Sequence, residues 1–160
     1  MRIIQTSGPC RGCRGFTLAF ALIGLIGALG LGGCTGNQKG SRTPTLYEQL
    51  GGQKGVNNLV HALIVNVGKD SRINGKFAHT NLSHLQVQLV NLIGQDSGGP
   101  QIYTGPDMYA VHKGMHITPA QWNSFMQDFG LAMRQEHLSD FAQARLLGIL
   151  MPMKVDIVGH

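Results

Sequence analysis

The sequence predicts an all-α domain, and three observations support this. Apolar residues recur at spacings of three and four along several stretches, the pattern of helices that bury one face. Thr45 with Glu48, and Thr118 with Gln121, have the spacing of capping boxes at helix starts. No stretch shows the alternation of apolar and polar residues expected of a strand. We therefore expect about four substantial helices and several short ones.

The first two predicted helices follow each other closely. A short helix begins at Thr45 and ends at the pair Gly51 and Gly52, because glycine commonly ends helices. A long helix starts at Gln53 and ends near Gly68. Its wide apolar stripe comprises Val56, Leu59, Val60, Leu63, Ile64 and Val67. Such a stripe predicts that this helix contributes much of the core.

The third helix is predicted at residues 82–93, after a turn from which Phe77 alone contributes an apolar side chain. Its apolar face comprises Leu82, Leu85, Leu89, Leu92 and Ile93. We expect the helix to stop at Gly94, because the following segment, 97–100, contains two glycines and a proline.

Two further helices are predicted after Thr118. Pro119 stands at the first helical position of one of them, which favours a helix start there. Its apolar stripe comprises Trp122, Phe125, Met126, Phe129, Ala132 and Met133. The last helix covers residues 139–150 and resumes beyond Pro152 to Val158. Its expected apolar positions are Phe141, Ala144, Leu147 and Leu150.

His112 lies on a short helical piece between two breaks. Gly105 and Pro106 prevent a regular helix before it, residues 108–113 make about one and a half turns, and Gly114 interrupts the helix. An imidazole so placed can point inward and serve as an axial ligand to a metal or a haem iron. The alternative on this stretch alone is a hydrogen-bonded core histidine.

The first 34 residues have the features of a processing segment. Three arginines precede an apolar run at residues 16–31. The run leads into the sequence Leu-Gly-Gly-Cys at 31–34, and this sequence resembles a bacterial lipobox. We therefore predict a signal peptide at 1–33, a flexible tether at 34–44 with a lipidated Cys34, and a domain at 45–160. The alternative is an uncleaved signal anchor in which Cys34 is incidental.

The predicted lipid would hold the protein at a membrane of the bacterial cell envelope. Thr35, rather than Asp, follows the lipidated cysteine, and this favours the outer membrane, facing the periplasm. Cys10 and Cys13 form a C-x-x-C motif inside the targeting segment, without a second cysteine pair, so we interpret them as non-functional.

The charge of the remaining chain excludes one class of partner. Three of the 13 basic residues belong to the first 33, so residues 34–160 carry ten basic and eight acidic side chains, a net charge of +2. This balance argues against a nucleic-acid partner. A chain of this length buries roughly two-thirds of its unfolded surface and holds one core without disulfides.

The order of several motifs resembles the group I truncated haemoglobins. The resemblance covers residues 45–158 and is carried by the motif Tyr-Glu-Gln-Leu-Gly-Gly at 47–52, by Phe77, by Gly-Gly-Pro at 98–100, by Tyr-Thr-Gly at 103–105, and by Met108, His112, Gly114 and Ile117-Thr118. It implies a two-over-two α-helical sandwich that holds one haem b. The paired glycines then abbreviate the first helix, and a largely unwound segment precedes the proximal histidine.

The resemblance also implies roles for single residues. His112 matches the proximal iron ligand, and Phe77 matches the phenylalanine that packs against the porphyrin face. The three distal positions are matched by Ile64, Leu85 and Leu89, and the pocket wall by Leu63, Met108 and Trp122. His84, His116, Lys113 and Arg134 are candidates to meet the haem propionates.

This chain departs from many family members, which have Tyr at the position of Ile64 and Gln at one of the other two distal positions. We expect a wholly aliphatic distal wall; the alternative is a register shift of one residue, which would bring Gln88 inward. Loss of a hydroxyl that holds dioxygen implies an oxygen affinity that is roughly tenfold lower or a release rate that is roughly tenfold higher. CO and NO are nonpolar and would still bind well. The iron is then expected to be five-coordinate unless His84 or Met115 reaches it.

Three functions follow in order of preference. The first is a globin that reversibly binds O2, CO or NO, with an unidentified reductase as a further partner. The second is a haem enzyme performing nitric oxide dioxygenation or peroxidase-like chemistry, placed second because a polar distal group is lacking. The third is a non-haem structural lipoprotein, in which His112 is a core residue.

Overall fold

The computed structural model describes residues 42–160. The predicted signal peptide, Cys34 and nearly all of the tether lie outside the described residues, so these assignments stay predictions. Within residues 42–160, no helix combines the length and the apolar character needed to cross a membrane.

Helices make up most of this part of the chain. The α-helices are α1 (Leu46–Gln49), α2 (Gly52–Lys69), α3 (Leu82–Asp96), α4 (Met108–His112), α5 (Pro119–Gln135), α6 (Asp140–Leu150) and α7 (Lys154–Ile157), with 3₁₀ turns at Asn74–Phe77 and Met151–Met153. Residues 42–160 contain no strand, apart from an isolated bridge between Ile117 and Val158. The all-α prediction is thus confirmed.

Local signals placed several helix ends correctly. Thr45 and Glu48 form a capping box before α1, and Thr118 and Gln121 form another before α5. In each box the threonine hydroxyl accepts a backbone N–H while the Glu or Gln side chain accepts the N–H of the threonine, which satisfies two amides that the helix leaves unpaired.

The predicted end of α3 at Gly94 is wrong, because the helix continues to Asp96. Gly94 is buried inside the helix. A Cβ atom there would lie 2.4 Å from Oε1 of Gln101, so the glycine makes room for the packed Gln101 side chain. Gly94 therefore marks a close contact rather than a helix end.

The predicted buried face of α6 is also wrong in part. Phe141 is 64% exposed and Ala144 is exposed, whereas Ala142 and Leu146 are buried, with Leu150 as predicted. Apolar residues surround most of this short helix, so their spacing alone could not choose the face. The guanidinium carbon of Arg145 lies 5.8 Å from the centre of the Phe141 ring and partly covers it.

The long helix α2 lies at the centre of the packing, against α3 on one side and α5 on another. Its predicted stripe is buried except at Ile64, which is half-buried. Phe129 and Met133 of α5 and Ile93 of α3 complete this core. Helix α4 packs against α7, and α1 packs against α2 and α6. The site lies where α2 and α3 meet the segments around α4.

A polar cluster joins the end of α2 to α5. Asn66 donates to the backbone oxygen of Asp128 over 3.3 Å, and Arg72 donates to both carboxylate oxygens of Asp70. These bonds from Arg72 lower the pKa of Asp70. Burial, and next the nearby Asp70 carboxylate, raise the pKa of Asp128 above its ordinary value of 3.8. Its buried Oδ2 has no hydrogen-bond partner among the described residues.

We expect Asp128→Asn to change how stability depends on pH. A carboxyl whose pKa is raised by folding contributes stability below its unfolded pKa, and this contribution is lost as pH rises through the folded pKa. The free energy of unfolding of the Asn variant minus that of the wild type should therefore increase as the pH rises from about 4 to 7. Urea unfolding at both pH values measures this gain. Asp156→Asn, at an exposed carboxylate, serves as the control. Parallel curves for wild type and Asp128→Asn would contradict the expectation.

Candidate functional site

A cavity of about 820 Å³ opens beside α2, α3, α4 and α5. Its volume lies in the range of roughly 300–1,000 Å³ that is usual for small-molecule and cofactor sites. The structure places all the residues that the resemblance assigns to a haem pocket in its lining: Leu63, Ile64, Phe77, Leu85, Leu89, Met108, His112 and Trp122. Sequence positions up to 59 residues apart thus meet around one space.

His112 is the last residue of α4 and faces this cavity. Asp107 caps the start of this helix, because its carboxylate accepts the N–H of Ala110 over 2.7 Å, and Gly114, with φ +82°, follows the helix. Nδ1 of His112 lies 2.8 Å from the backbone oxygen of Met108. A carbonyl can only accept, so Nδ1 carries a proton, and in the neutral form of the ring Nε2 is then the nitrogen with a free lone pair. Histidines that bind metals commonly hold their other nitrogen in this way.

The possible metal ligands around the cavity indicate whether His112 would bind a bare metal ion or a metal-containing cofactor. Within residues 42–160, no three His, Cys, Asp or Glu side chains are grouped so that they could hold a bare metal ion. The imidazole of His112 in a mostly apolar cavity instead fits a metal that brings its own ligands within an apolar ring, as haem does. The residues present therefore fit the cofactor that the resemblance implies.

Helices α2 and α3 supply the wall that carries the predicted distal residues. The aliphatic side chains of Ile64, Leu85 and Leu89 all line the cavity. Gln88 also lines it, which agrees with the alternative that the sequence left open. Residues three and four apart share a helix face, and Gln88 follows Leu85 by three and precedes Leu92 by four. This spacing was the signal that the sequence offered.

The candidate propionate partners divide into two groups. His84 lines the cavity and is exposed, whereas Lys113, His116 and Arg134 do not line it. The Nζ of Lys113 lies instead 5.7 Å from the centre of the Tyr109 ring.

Lys76 also lines the cavity, and the sequence interpretation missed it. Its Nζ donates to the backbone oxygen of Met115 over 2.8 Å and ties the first 3₁₀ turn to the loop after α4. The one available signal was its place directly before Phe77.

Comparison with known sequences gives one family and several relatives. The family model described as bacterial-like globin matches residues 45–158. A group 1 truncated haemoglobin of Mycolicibacterium paratuberculosis is 30% identical over 122 residues, which cover 71% of this chain and 83% of that protein. A group 1 truncated haemoglobin of Tetrahymena thermophila is 28% identical over 99 residues, 62% of this chain and 82% of that protein.

Solved structures show the same fold. The truncated haemoglobin of Tetrahymena pyriformis in its Fe(III) form has a TM-score of 0.70 and 23% identity, and the match covers 73% of this chain and 100% of that chain. The 2/2 haemoglobin of Synechococcus, in a structure with covalently attached haem, has a TM-score of 0.68 and 21% identity over 72% of this chain and 98% of that chain. These likenesses confirm the predicted two-over-two arrangement of helices.

Proposed function

The chain belongs to the bacterial-like globin family, and on this premise we propose that it holds one haem b in the described cavity through His112 and reversibly binds diatomic gases there. Membership of this family, with group 1 truncated haemoglobins as relatives, makes it a haem-binding globin. The roles of single residues and the gas ligand are the parts that we propose.

One observation carries the assignment to His112. The ring lines the cavity while Nδ1 donates to the backbone oxygen of Met108. That bond fixes the orientation of the ring and makes Nε2 the available ligand nitrogen. Haem held there would supply the iron to which a small ligand binds.

The apolar side chains around the cavity determine which kind of ligand can bind there. Leu85, Leu89 and Ile64 offer no charge to a ligand, so they suit small molecules of low polarity. Phe77 and Trp122 add flat apolar surface against which a porphyrin can pack. The chain therefore builds a site for CO, NO and O2 rather than for an ionic substrate.

The test is gas binding by the purified haem-loaded chain, measured by laser photolysis and rapid mixing with CO and with O2. We expect saturable, reversible binding of both gases, with the protein recovered unchanged after many cycles. Failure to bind CO in the ferrous state, or rapid irreversible oxidation on every contact with O2, would contradict reversible gas binding.

A further inference from the structure

The outward side of the last helical segment is apolar and exposed. The chain stays helical from α6 through the second 3₁₀ turn into α7, because the residues that join these elements keep right-handed helical dihedral angles. Exposed residues recur at intervals of three and four on the side opposite the buried Ala142, Leu146 and Leu150. We call this set the outer stripe: Phe141, Ala144, Gly148, Met151 with Pro152, and Val155.

The outer stripe lacks the cover that its composition requires. None of its members carries a charge, and Val155 is 74% exposed. Asp140 and Arg145 are the only charged residues of α6. A helix that is apolar on nearly every side is normally buried on every side. The core of the domain covers only one side of α6, so the other side is available to an apolar partner outside the domain.

Cationic side chains border the outer stripe. The guanidinium carbon of Arg145 lies 5.8 Å from the centre of the Phe141 ring. Helix α4 packs against α7 and adds the exposed Tyr109 ring, and the Nζ of Lys113 lies 5.7 Å from the centre of that ring. Aromatic rings with basic side chains beside them suit a lipid surface, because the rings sit at the acyl boundary while the cations reach the phosphates.

Two carboxylates lie next to the outer stripe without interrupting it. Asp140 precedes Phe141 and Asp156 follows Val155, and both acidic residues are exposed. One residue turns a helix by about 100°, so these carboxylates point to the margins of the stripe. An apolar centre with charges only at its margins is the pattern of a helix that lies on a membrane surface.

The chain before residue 45 indicates that such a surface is close. In the predicted organisation, a lipid on Cys34 is joined to the domain by residues 34–44. A Gly-rich chain of this length has a root-mean-square extent of about 18 Å and reaches about 40 Å at most. A compact domain the size of residues 42–160 is about 35 Å across. The tether is therefore too short to leave the orientation of the domain free.

The side on which the tether enters must then stay near the lipid. Helix α1 is the first element after the tether, and α1 packs against α6. The helix that carries the outer stripe therefore lies beside the point of entry.

We propose that the outer stripe rests on the lipid surface to which the predicted anchor attaches the protein. Phe141, Met151 and Val155 then enter the boundary between head groups and acyl chains, which removes their apolar surface from water. The proposal goes beyond the proposed function and does not depend on haem, so the two can fail separately.

The test maps which residues touch acyl chains. The full chain, loaded with haem, is reconstituted in vesicles of phosphatidylcholine and phosphatidylglycerol in equal amounts, with a trace of lipid that carries a diazirine in its acyl chain. Light converts the diazirine to a carbene, and mass spectrometry locates the adducts. We expect residues 141–155 to collect about tenfold more adduct than α3, because apolar side chains hold only the stripe at the acyl boundary.

Two double variants provide the comparison. Phe141→Ser combined with Val155→Ser should lower the adduct yield over residues 141–155 by about tenfold, since the two largest exposed apolar contacts are lost. Val87→Ser combined with Ile102→Ser is the matched control, because these residues are also highly exposed but lie in α3 and in the loop after it. This control should keep the wild-type yield.

Three results would overturn the proposal. Equal labelling of residues 141–155 and α3, or adducts confined to residues before 45, would show that the stripe does not face lipid. A wild-type yield in the Phe141→Ser, Val155→Ser variant would show that the stripe does not hold the domain there. Cross-linking of two copies through the stripe without lipid adducts would assign this face to a dimer. Stripe adducts on a chain that takes up no haem would support the proposal and contradict only the proposed function.

Discussion

We expect His112→Gly to lower the affinity for haem by on the order of a hundredfold. Residues that only orient a metal ligand already contribute about 10- to 100-fold to metal affinity, so loss of the ligand itself should reach the upper end of this range. Removing the imidazole also leaves the backbone oxygen of Met108 without the donor at 2.8 Å. Competition for haem by an apoprotein acceptor, followed by absorption spectroscopy, measures the change.

Added imidazole should partly restore the wild-type spectrum of His112→Gly, since the free ring can occupy the space of the lost side chain. His116→Gly is the matched control. His116 does not line the cavity, and its φ of +50° is a conformation that glycine adopts easily. A His112→Gly protein with the haem affinity and ferrous spectrum of wild type would show that another group holds the iron.

The second large effect is expected at Gly55, in the first turn of α2. A Cβ atom at this position would lie 1.7 Å from the backbone oxygen of Leu50. The clashing atom belongs to the backbone of the segment that connects α1 to α2, so no side-chain rotation can relieve the clash. We expect Gly55→Ala to lower the free energy of unfolding by about 3 kcal/mol or more, at the upper end for overpacked sites. Chemical denaturation of the chain measures this loss.

Gly68→Ala provides the opposite result on the same helix. A Cβ at Gly68 meets nothing within 4 Å, and the residue is exposed. Alanine is the better helix former, so this variant should gain about 0.5–1 kcal/mol. Equal effects of the two substitutions, in either direction, would mean that α1 and α2 do not meet as described.

Features that depend on neighbouring residues were predictable from the sequence. The capping boxes at Thr45 and Thr118 set helix starts through bonds that span three residues, and both are present. The short helix that carries His112 followed from the breaks on its two sides. The stripe on α2 was long enough for its period to define one face, so its burial was predictable too.

Features that depend on contacts between residues far apart in the chain were not predictable from the sequence. Gly94 looked like a helix end, but its role is set by Gln101, which packs against it from beyond the helix. The buried face of α6 depends on which neighbours cover it, and the apolar residues around this helix left that choice open. An inward Gln88 remained only an alternative because the resemblance assigns other positions to the distal wall, although its spacing from Leu85 placed it on the cavity face.

We propose that this chain holds one haem b in the described cavity, and a haem titration can decide this. Apoprotein is mixed with increasing haem while the Soret band is recorded, and the ferrous spectrum is taken at the end point. We expect saturation at one haem per chain and a five-coordinate ferrous spectrum. Absence of a saturable Soret band would contradict it.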